Sequence, residues 1–116
     1  MSAPGFRATR RLLAAAVVLL AAGVYANTLS NGFALDDQGI ILENERAHGV
    51  EHLGEALTSQ YWPGGPARAA LYRPLTVASF AVDWELWGSD PAGFHAVNVG
   101  LHALVTLLVF LLLLEL

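Results

Sequence analysis

Two uncharged runs decide the fold: residues 97–114 read VNVGLHALVTLLVFLLLL, and residues 12–26 read LLAAAVVLLAAGVYA. A helix needs about 20 mainly apolar residues to cross the roughly 30 Å of hydrocarbon in a bilayer. The second run is long enough with its flanks, and the first is long enough if the helix continues through residues 27–30. In addition, 55% of all residues are hydrophobic and 14% are charged, against about a quarter charged in soluble domains. We therefore predict an all-α membrane protein with two transmembrane helices.

This prediction divides the chain into four segments. They are a cytoplasmic N-terminus at 1–11, a first transmembrane helix at 12–30, an extracytoplasmic loop at 31–93 and a second transmembrane helix at 94–116. The short first run also fits a cleavable signal peptide ending after Ala26, because an Arg-rich flank followed by a short Leu/Ala stretch is typical of such peptides.

The distribution of charge predicts the orientation of the two helices. Three arginines precede the first run, whereas the loop 31–93 carries nine acidic residues and three arginines. Because basic residues are retained on the cytoplasmic side, we expect a cytoplasmic N-terminus and a periplasmic or extracellular loop. A lysine-free chain rich in Ala, Arg and Gly suggests a bacterial source, and so we expect the bacterial inner membrane.

The loop contains two predicted helices, each followed by a turn sequence. The apolar residues of the first share one helical face; they are Val50, Leu53, Leu57 and Tyr61. PGGP at 63–66 ends this helix. The second helix opens at Pro74, which has no N–H to leave unpaired, and GSDP at 88–91 ends it. We predict that both helices are amphipathic and lie on the outer membrane surface; a small globular helical pair fits the pattern equally well.

Composition also excludes several classes of function. The chain has no cysteine, and so it forms neither disulfides nor thiolate metal sites. Its six arginines, without any lysine, provide no basic surface for nucleic acid. No glycine-rich loop for a nucleotide and no Ser/His/Asp arrangement occurs. An active site outside the cytoplasm would therefore need a donor carried by the membrane.

The first candidate site is the acidic pair Asp36-Asp37, shortly after the first span. Paired carboxylates can act as a general base with a partner that orients the substrate or holds a divalent cation. The alternative is a simple turn, because Asp is a favoured turn residue and Gly39 follows.

The second candidate is Tyr72-Arg73, directly before Pro74. A guanidinium at the start of a helix can bind a phosphate bidentately. Arg73 could equally contact lipid headgroups or pair with an acidic residue of the loop.

The third candidate is a polar face on the second span, formed by His95, Asn98 and His102. Polar residues within a membrane helix usually face a protein interior, a cavity or a ligand. Hydrogen bonding between helices is the alternative. His95 and His102 are spaced poorly for zinc, so we assign no metal site, although a divalent cation could still assist. We place His48 and His52 on a solvated face.

The order of these motifs resembles a known family. YANTLSNGFALDD at 25–37 is followed by Tyr61-Trp62, then by YRPL at 72–75 and FHAVNVGLH at 94–102. This set is similar to the membrane part of the transmembrane and tetratricopeptide-repeat-containing proteins, over residues 25–114.

The resemblance implies a GT-C-type glycosyltransferase. Such enzymes are polytopic, and their first extracytoplasmic loop holds an acidic motif and two membrane-surface helices. The implied reaction is O-mannosylation: a sugar, mannose in the animal members, passes from a polyprenyl-phosphate donor to a protein hydroxyl. By this match one of Asp36 and Asp37 is the general base and the other supports substrate. The implied partners are the lipid donor, a protein acceptor and the membrane, without nucleic acid.

Arg73 matches the basic element of the family pattern, and His95, Asn98 and His102 match its polar helix face. Their roles toward the donor phosphate are a separate inference from the residues and do not come from the match. We expect the phosphate-binding group to comprise Arg73, Tyr72, His95 and His102, with Asn98 in support. We also expect the chain to be the N-terminal part of a longer protein, inactive in isolation.

Two other functions fit the sequence. The chain could be a non-catalytic membrane anchor or scaffold for downstream tetratricopeptide repeats, with the acidic pair as a turn. It could also be a fragment of a transporter that uses His102 in a proton relay.

Overall fold

The computed structural model describes residues 4–64 and 71–116, which form two units. The helical-pair unit contains the chain up to Ser30 and from His95 onward, and the loop unit is Asn31–Phe94. Neither described range contains a β-strand. The described α-helices are α1 (Pro4–Tyr25), α2 (Leu53–Thr58), α3 (Pro74–Trp87) and α4 (Pro91–Leu113).

Within the described residues, two segments are long and apolar enough to cross a membrane, as predicted. One runs from Gly5 to Ser30, where a 3₁₀ turn at Ala26–Ser30 extends α1, and it has a mean hydropathy of 2.0. The other is α4, with a mean hydropathy of 2.3. Helix α1 begins at Pro4, ahead of the expected position 12, and includes the arginines that the sequence assigned to the N-terminal flank.

Helices α1 and α4 run antiparallel. Near one end Arg10 Nη2 lies 2.8 Å from Glu115 Oε1, and near the other the rings of Tyr25 and His102 meet edge-on at 4.9 Å. The outer sides of the pair are aliphatic; Leu12 and Leu19, for example, are each 72% exposed. Such surfaces are stable in hydrocarbon rather than in water, so the pair has the surface of a membrane-embedded element.

The loop unit has a small core of its own. Helix α3 contributes Val77 and Ala81, which are 1% and 0% exposed, and packs against α2 through the buried Ala56. A π-helical turn at Gln38–Leu42 adds Ile40 and Ile41. Small side chains on both helices allow their backbones to approach closely, which explains how a short helix such as α2 is held.

The first loop helix is shorter than predicted. It covers Leu53–Thr58 after a 3₁₀ turn at Val50–His52, and Tyr61 lies outside it. In a longer helix the Tyr61 N–H would bond to the Leu57 carbonyl. Instead, Tyr61 N–H donates to Leu71 O at 2.9 Å, and the Tyr72 hydroxyl donates to Leu57 O at 2.5 Å. Tertiary hydrogen bonds thus replace the helical one. Part of the predicted stop at 63–66 lies outside the described residues.

The second loop helix has the predicted bounds. Helix α3 begins at Pro74 and ends where Gly88 adopts φ +59° and donates its N–H to Trp84 O at 2.7 Å. The face opposite the core is also apolar and exposed; it carries Leu75, Val82 and Leu86. This exposed apolar face would suit contact with lipid, although the placement on the membrane surface stays a prediction.

His48 does not lie on a solvated face, so that prediction was wrong. Its ring stacks on Trp84 with centroids 3.8 Å apart, and its Nε2–H donates to Ile41 O at 2.8 Å. The partner ring arrives from a distant part of the chain, which helical spacing alone could not indicate. His52 is half-buried, with its Nε2 3.9 Å from Glu51.

Two polar side chains are buried in the loop unit. Asn44 is 1% exposed and donates from Nδ2 to Ile40 O at 3.0 Å. Asp83, on α3, is 6% exposed, and this burial raises the pKa of its carboxyl above the ordinary 3.8. Burial disfavours the charged form, so ionised Asp83 destabilises the folded state.

Val77→Ala should destabilise the loop unit by about 1–3 kcal/mol, because it leaves a cavity in a closely packed core. Val82→Ala on the same helix is the matched control. Val82 is 40% exposed, and we expect a change within about 0.5 kcal/mol. Thermal unfolding of the whole chain in detergent, followed by protease resistance of the loop, measures both. Equal effects of the two substitutions would contradict the assigned core.

Asp83→Asn should raise the unfolding temperature at neutral pH. The raised pKa means that the folded protein binds this proton more tightly than the unfolded chain does. The free energy of unfolding therefore falls as the pH rises from 3.8, the pKa in the unfolded chain, to the higher pKa of the folded state. Below pH 3.8 both states are protonated, and the difference between variant and wild type should vanish. Glu85→Gln, at an exposed position of the same helix, serves as the control. A variant less stable than wild type at neutral pH would contradict this account.

Candidate active site

The acidic pair lies in a tight turn that Asp37 holds in place. Ala34 N–H donates to Asp37 Oδ2 at 3.0 Å, and Asp37 N–H donates back to Ala34 O at 3.1 Å. Such a reciprocal pair is a common use of Asp in turns. The turn role that the sequence offered as an alternative therefore applies to Asp37.

Asp36 differs from its neighbour. Its side chain is exposed, and its carboxylate makes no hydrogen bond or ion pair with residues 4–64 or 71–116. Its backbone is well held, since Asp36 O accepts from Gly39 N–H at 3.1 Å and from Ile40 N–H at 3.0 Å. The carboxylate thus projects from a fixed backbone and keeps its acceptor capacity for a ligand.

The residue before Asp36 has an unusual backbone. Leu35 adopts φ +51° and is 94% exposed. Left-handed conformations cost a non-glycine residue about 1–2 kcal/mol. The bonds around Asp36 and Asp37 hold this conformation, which presents an aliphatic side chain next to a free carboxylate.

Tyr61 and Trp62 connect the acidic turn to the basic motif. A Cβ on Gly39 would lie 3.9 Å from Cζ3 of Trp62, so the indole packs close to the end of the turn. Trp62 meets Tyr61 edge-on at 5.5 Å, and the Arg73 guanidinium lies 5.0 Å from the Tyr61 ring centroid. The sequence separates these motifs by more than 20 residues, whereas the fold links them through two adjacent rings.

Arg73 and Tyr72 are both exposed at the start of α3. Arg73 has no acidic partner among the described residues, so it remains available to an anion apart from its cation–π contact. The single O–H donor of Tyr72 is directed to Leu57 O. The expected contact of Tyr72 with phosphate would require it to leave that bond.

The three polar residues of α4 belong to the helical-pair unit. His95 Nε2 is buried and has no hydrogen-bond partner among the described residues. His102 is exposed on the helix and meets Tyr25 edge-on, and Asn98 is exposed. An unsatisfied buried nitrogen is costly, which distinguishes His95 from the other two. Their expected roles toward phosphate stay predictions.

Within residues 4–64 and 71–116, no group of three or more His, Cys, Asp or Glu side chains is arranged to hold a metal ion. The described groups do offer acid–base and electrostatic chemistry. It consists of a free carboxylate at Asp36 and a free guanidinium at Arg73.

Sequence reasoning missed Arg46 and Asp83. Arg46 donates from Nε to Asn44 Oδ1 at 3.0 Å and from Nη1 to Gln60 O at 2.9 Å, and it lines a surface pocket. No motif or periodicity signals this role, because the two acceptors come from different segments. The one available signal was the scarcity of basic residues in an acidic loop.

Comparison with known proteins finds several relatives. The chain is 41% identical over 96 residues to "Protein O-mannosyl-transferase Tmtc1" of Drosophila melanogaster, covering 79% of this chain and 11% of that protein. It is 37% identical over 113 residues to mouse "Protein O-mannosyl-transferase TMTC1", covering 90% and 12%. Human "Protein O-mannosyl-transferase TMTC3" is 32% identical over 95 residues, covering 79% and 10%.

The chain thus spans about a tenth of the length of these relatives. They are animal proteins, so they do not support the expected bacterial inner membrane. No family model and no solved structure matches the chain. The identities nevertheless extend over most of its residues and confirm the resemblance seen in the order of its motifs: the chain belongs to the family of transmembrane and tetratricopeptide-repeat-containing proteins.

Proposed function

We propose that this chain supplies a membrane helix pair and the acidic loop of a GT-C-type glycosyltransferase. The whole protein would move a mannose-like sugar from a polyprenyl-phosphate donor to a protein hydroxyl. The relatives are named protein O-mannosyl-transferases, which supports the sugar and the acceptor class. The observation that carries the proposal is the free Asp36 carboxylate on a rigid turn.

In this proposal Asp36 is the general base. Its carboxylate accepts the proton of the acceptor hydroxyl while that oxygen attacks the anomeric carbon and the bond to the donor phosphate breaks. General bases of this kind contribute about 10²–10⁴-fold to rate. Asp37 supports the reaction by holding the turn, so the structure favours a division of roles that the sequence left open.

Arg73 stabilises the departing phosphate in this proposal. A guanidinium offers two parallel N–H donors, which match phosphate oxygens, and it lies at the start of α3, where helix N–H groups also favour anions. Tyr61 constrains the guanidinium through its ring. His95 and His102, with Asn98 in support, are a separate part of the proposal, and the buried free nitrogen of His95 favours a ligand there.

Access to a lipid donor follows from chain length. Asp36 is six residues beyond Ser30, the end of the first candidate span. Six residues reach at most about 22 Å when fully extended, so the carboxylate is confined to the neighbourhood of the bilayer. Because three arginines precede this span, we place the loop on the non-cytoplasmic side.

Asp36→Asn in the whole protein should lower sugar transfer about 10²–10⁴-fold, because the amide cannot take the proton. Asp37→Asn retains a carbonyl oxygen for Ala34 N–H, so we expect a loss of about tenfold or less. Glu85→Gln, an exposed acid of the same unit, is the control and should be silent. Transfer is measured in membranes with a polyprenyl-phosphate sugar, and insertion by resistance to alkaline extraction. Full activity of Asp36→Asn would favour the anchor function instead.

Arg73→Gln should lower kcat/KM for the lipid donor about tenfold and leave the KM for the acceptor unchanged, since it removes a charge-assisted bidentate contact to the departing phosphate. Arg73→Lys keeps the positive charge but loses the bidentate geometry of the guanidinium. Its kinetic effect should lie between wild type and Arg73→Gln. Arg11→Gln, on an exposed arginine of α1, is the matched control. An unchanged kcat/KM for the donor in Arg73→Gln would show that this residue does not contact the phosphate.

A further inference from the structure

Arg46 is held in a single position within the loop unit. Its Nε donates to Asn44 Oδ1 at 3.0 Å, and its Nη1 donates to Gln60 O at 2.9 Å. Asn44 is itself fixed, because it is buried and bonds to Ile40 O. The half-buried guanidinium is therefore placed before any ligand arrives.

This arrangement leaves binding capacity unused. A guanidinium has five N–H donors, of which the described residues occupy two. Both acceptors are neutral, and no carboxylate within the described ranges pairs with Arg46. A half-buried cation without an anionic partner is unfavourable on its own, and a bound anion would satisfy it.

The pocket beside Arg46 has room for a ligand group. Its volume is about 440 Å³, and the described residues that line it beside Arg46 are Glu55, Thr58, Ser59, Gln60, Trp62, Pro63 and Gly64. Among these lining residues Trp62 and Pro63 are apolar, whereas the others, apart from Gly64, carry hydroxyl, amide or charged groups. A polyprenyl chain needs an apolar channel, so this pocket suits a hydrophilic ligand.

Trp62 places the pocket next to the acidic turn. The same indole lines the pocket and packs close to Gly39, three residues after Asp36. The pocket and the acidic turn therefore share Trp62 as a neighbour. An acceptor chain bound at both places would contact Trp62.

We infer that the Arg46 pocket binds the acceptor polypeptide through an Asp or Glu side chain flanking the modified hydroxyl. This inference rests on the proposed function for its choice of a protein ligand. A carboxylate matches the open N–H groups of Arg46, and the hydroxyl and amide groups of the lining suit a peptide backbone. Glu55 is exposed and acidic, so it opposes the binding of an acidic peptide.

Binding by the whole protein in detergent tests the inference. The probes are two fluorescent peptides that contain Ser and Thr and differ in one respect: one carries Asp and Glu, and the other carries Asn and Gln. The acidic peptide should bind more tightly to wild type. Arg46→Gln should weaken its binding about tenfold and leave the amide peptide unchanged. Arg11→Gln is the matched control.

Glu55→Gln should have the opposite effect on the affinity for the acidic peptide, and it leaves the hydrogen bonds of Arg46 intact. It should tighten binding of the acidic peptide about twofold, because it removes a nearby negative charge, and should not affect the amide peptide. If Arg46→Gln fails to fold, this gain still decides the question. Equal binding of both peptides by wild type and Glu55→Gln would overturn the inference.

Sugar transfer measured in parallel separates this inference from the proposed function. One outcome is that sugar transfer depends on Asp36 while peptide binding is unaffected by substitution of Arg46 and Glu55. This outcome would contradict the peptide-binding pocket and leave the enzyme assignment intact. Binding that depends on Arg46, without any transfer by wild type, would support the pocket and sink the enzyme assignment. A rise in the donor KM in Arg46→Gln, with peptide binding unchanged, would overturn the inference in favour of a phosphate site.

Discussion

The bilayer imposes the constraint on which this protein depends. Backbone N–H and C=O groups within hydrocarbon must be paired inside the chain, so a spanning segment has to be a helix. Here two such segments lie at either end of 116 residues, and the loop unit is covalently joined to both of them. The proposed function requires a loop joined to two spans in this way to stay near the membrane surface. That position would bring the exposed acidic turn within reach of a lipid-borne substrate.

Within the loop unit, side chains hold the irregular segments in place. Tyr72, Arg46 and His48 each bond to a backbone carbonyl of a different segment, namely Leu57 O, Gln60 O and Ile41 O. Such bonds satisfy carbonyls that regular structure would otherwise pair. Short helices and turns gain little from propensity alone. The loop unit thus depends on tertiary contacts far more than the two long helices do.

The candidate site shows two kinds of acidic residue. The Asp37 carboxylate accepts a hydrogen bond within the turn. The Asp36 carboxylate has no such bond among the described residues, although the same turn constrains its backbone. Adjacent residues of the same type therefore differ in their hydrogen bonding. Arg46 and Arg73 differ in a similar way: Arg46 is clamped by neutral acceptors, and Arg73 is exposed beside the ring of Tyr61.

Hydropathy in the sequence by itself determined the two candidate spans. The proline and glycine at the helix ends determined the start of α3 at Pro74 and its end at Gly88. These features are local, since they follow from apolar length, a missing N–H and a glycine at positive φ. The motif order also determined the family. Tertiary structure alone decided the early end of α2, the stacking of His48 on Trp84, the burial of Asp83 and the clamping of Arg46. Each of these depends on a partner distant in the chain, and periodicity carries no information about such partners.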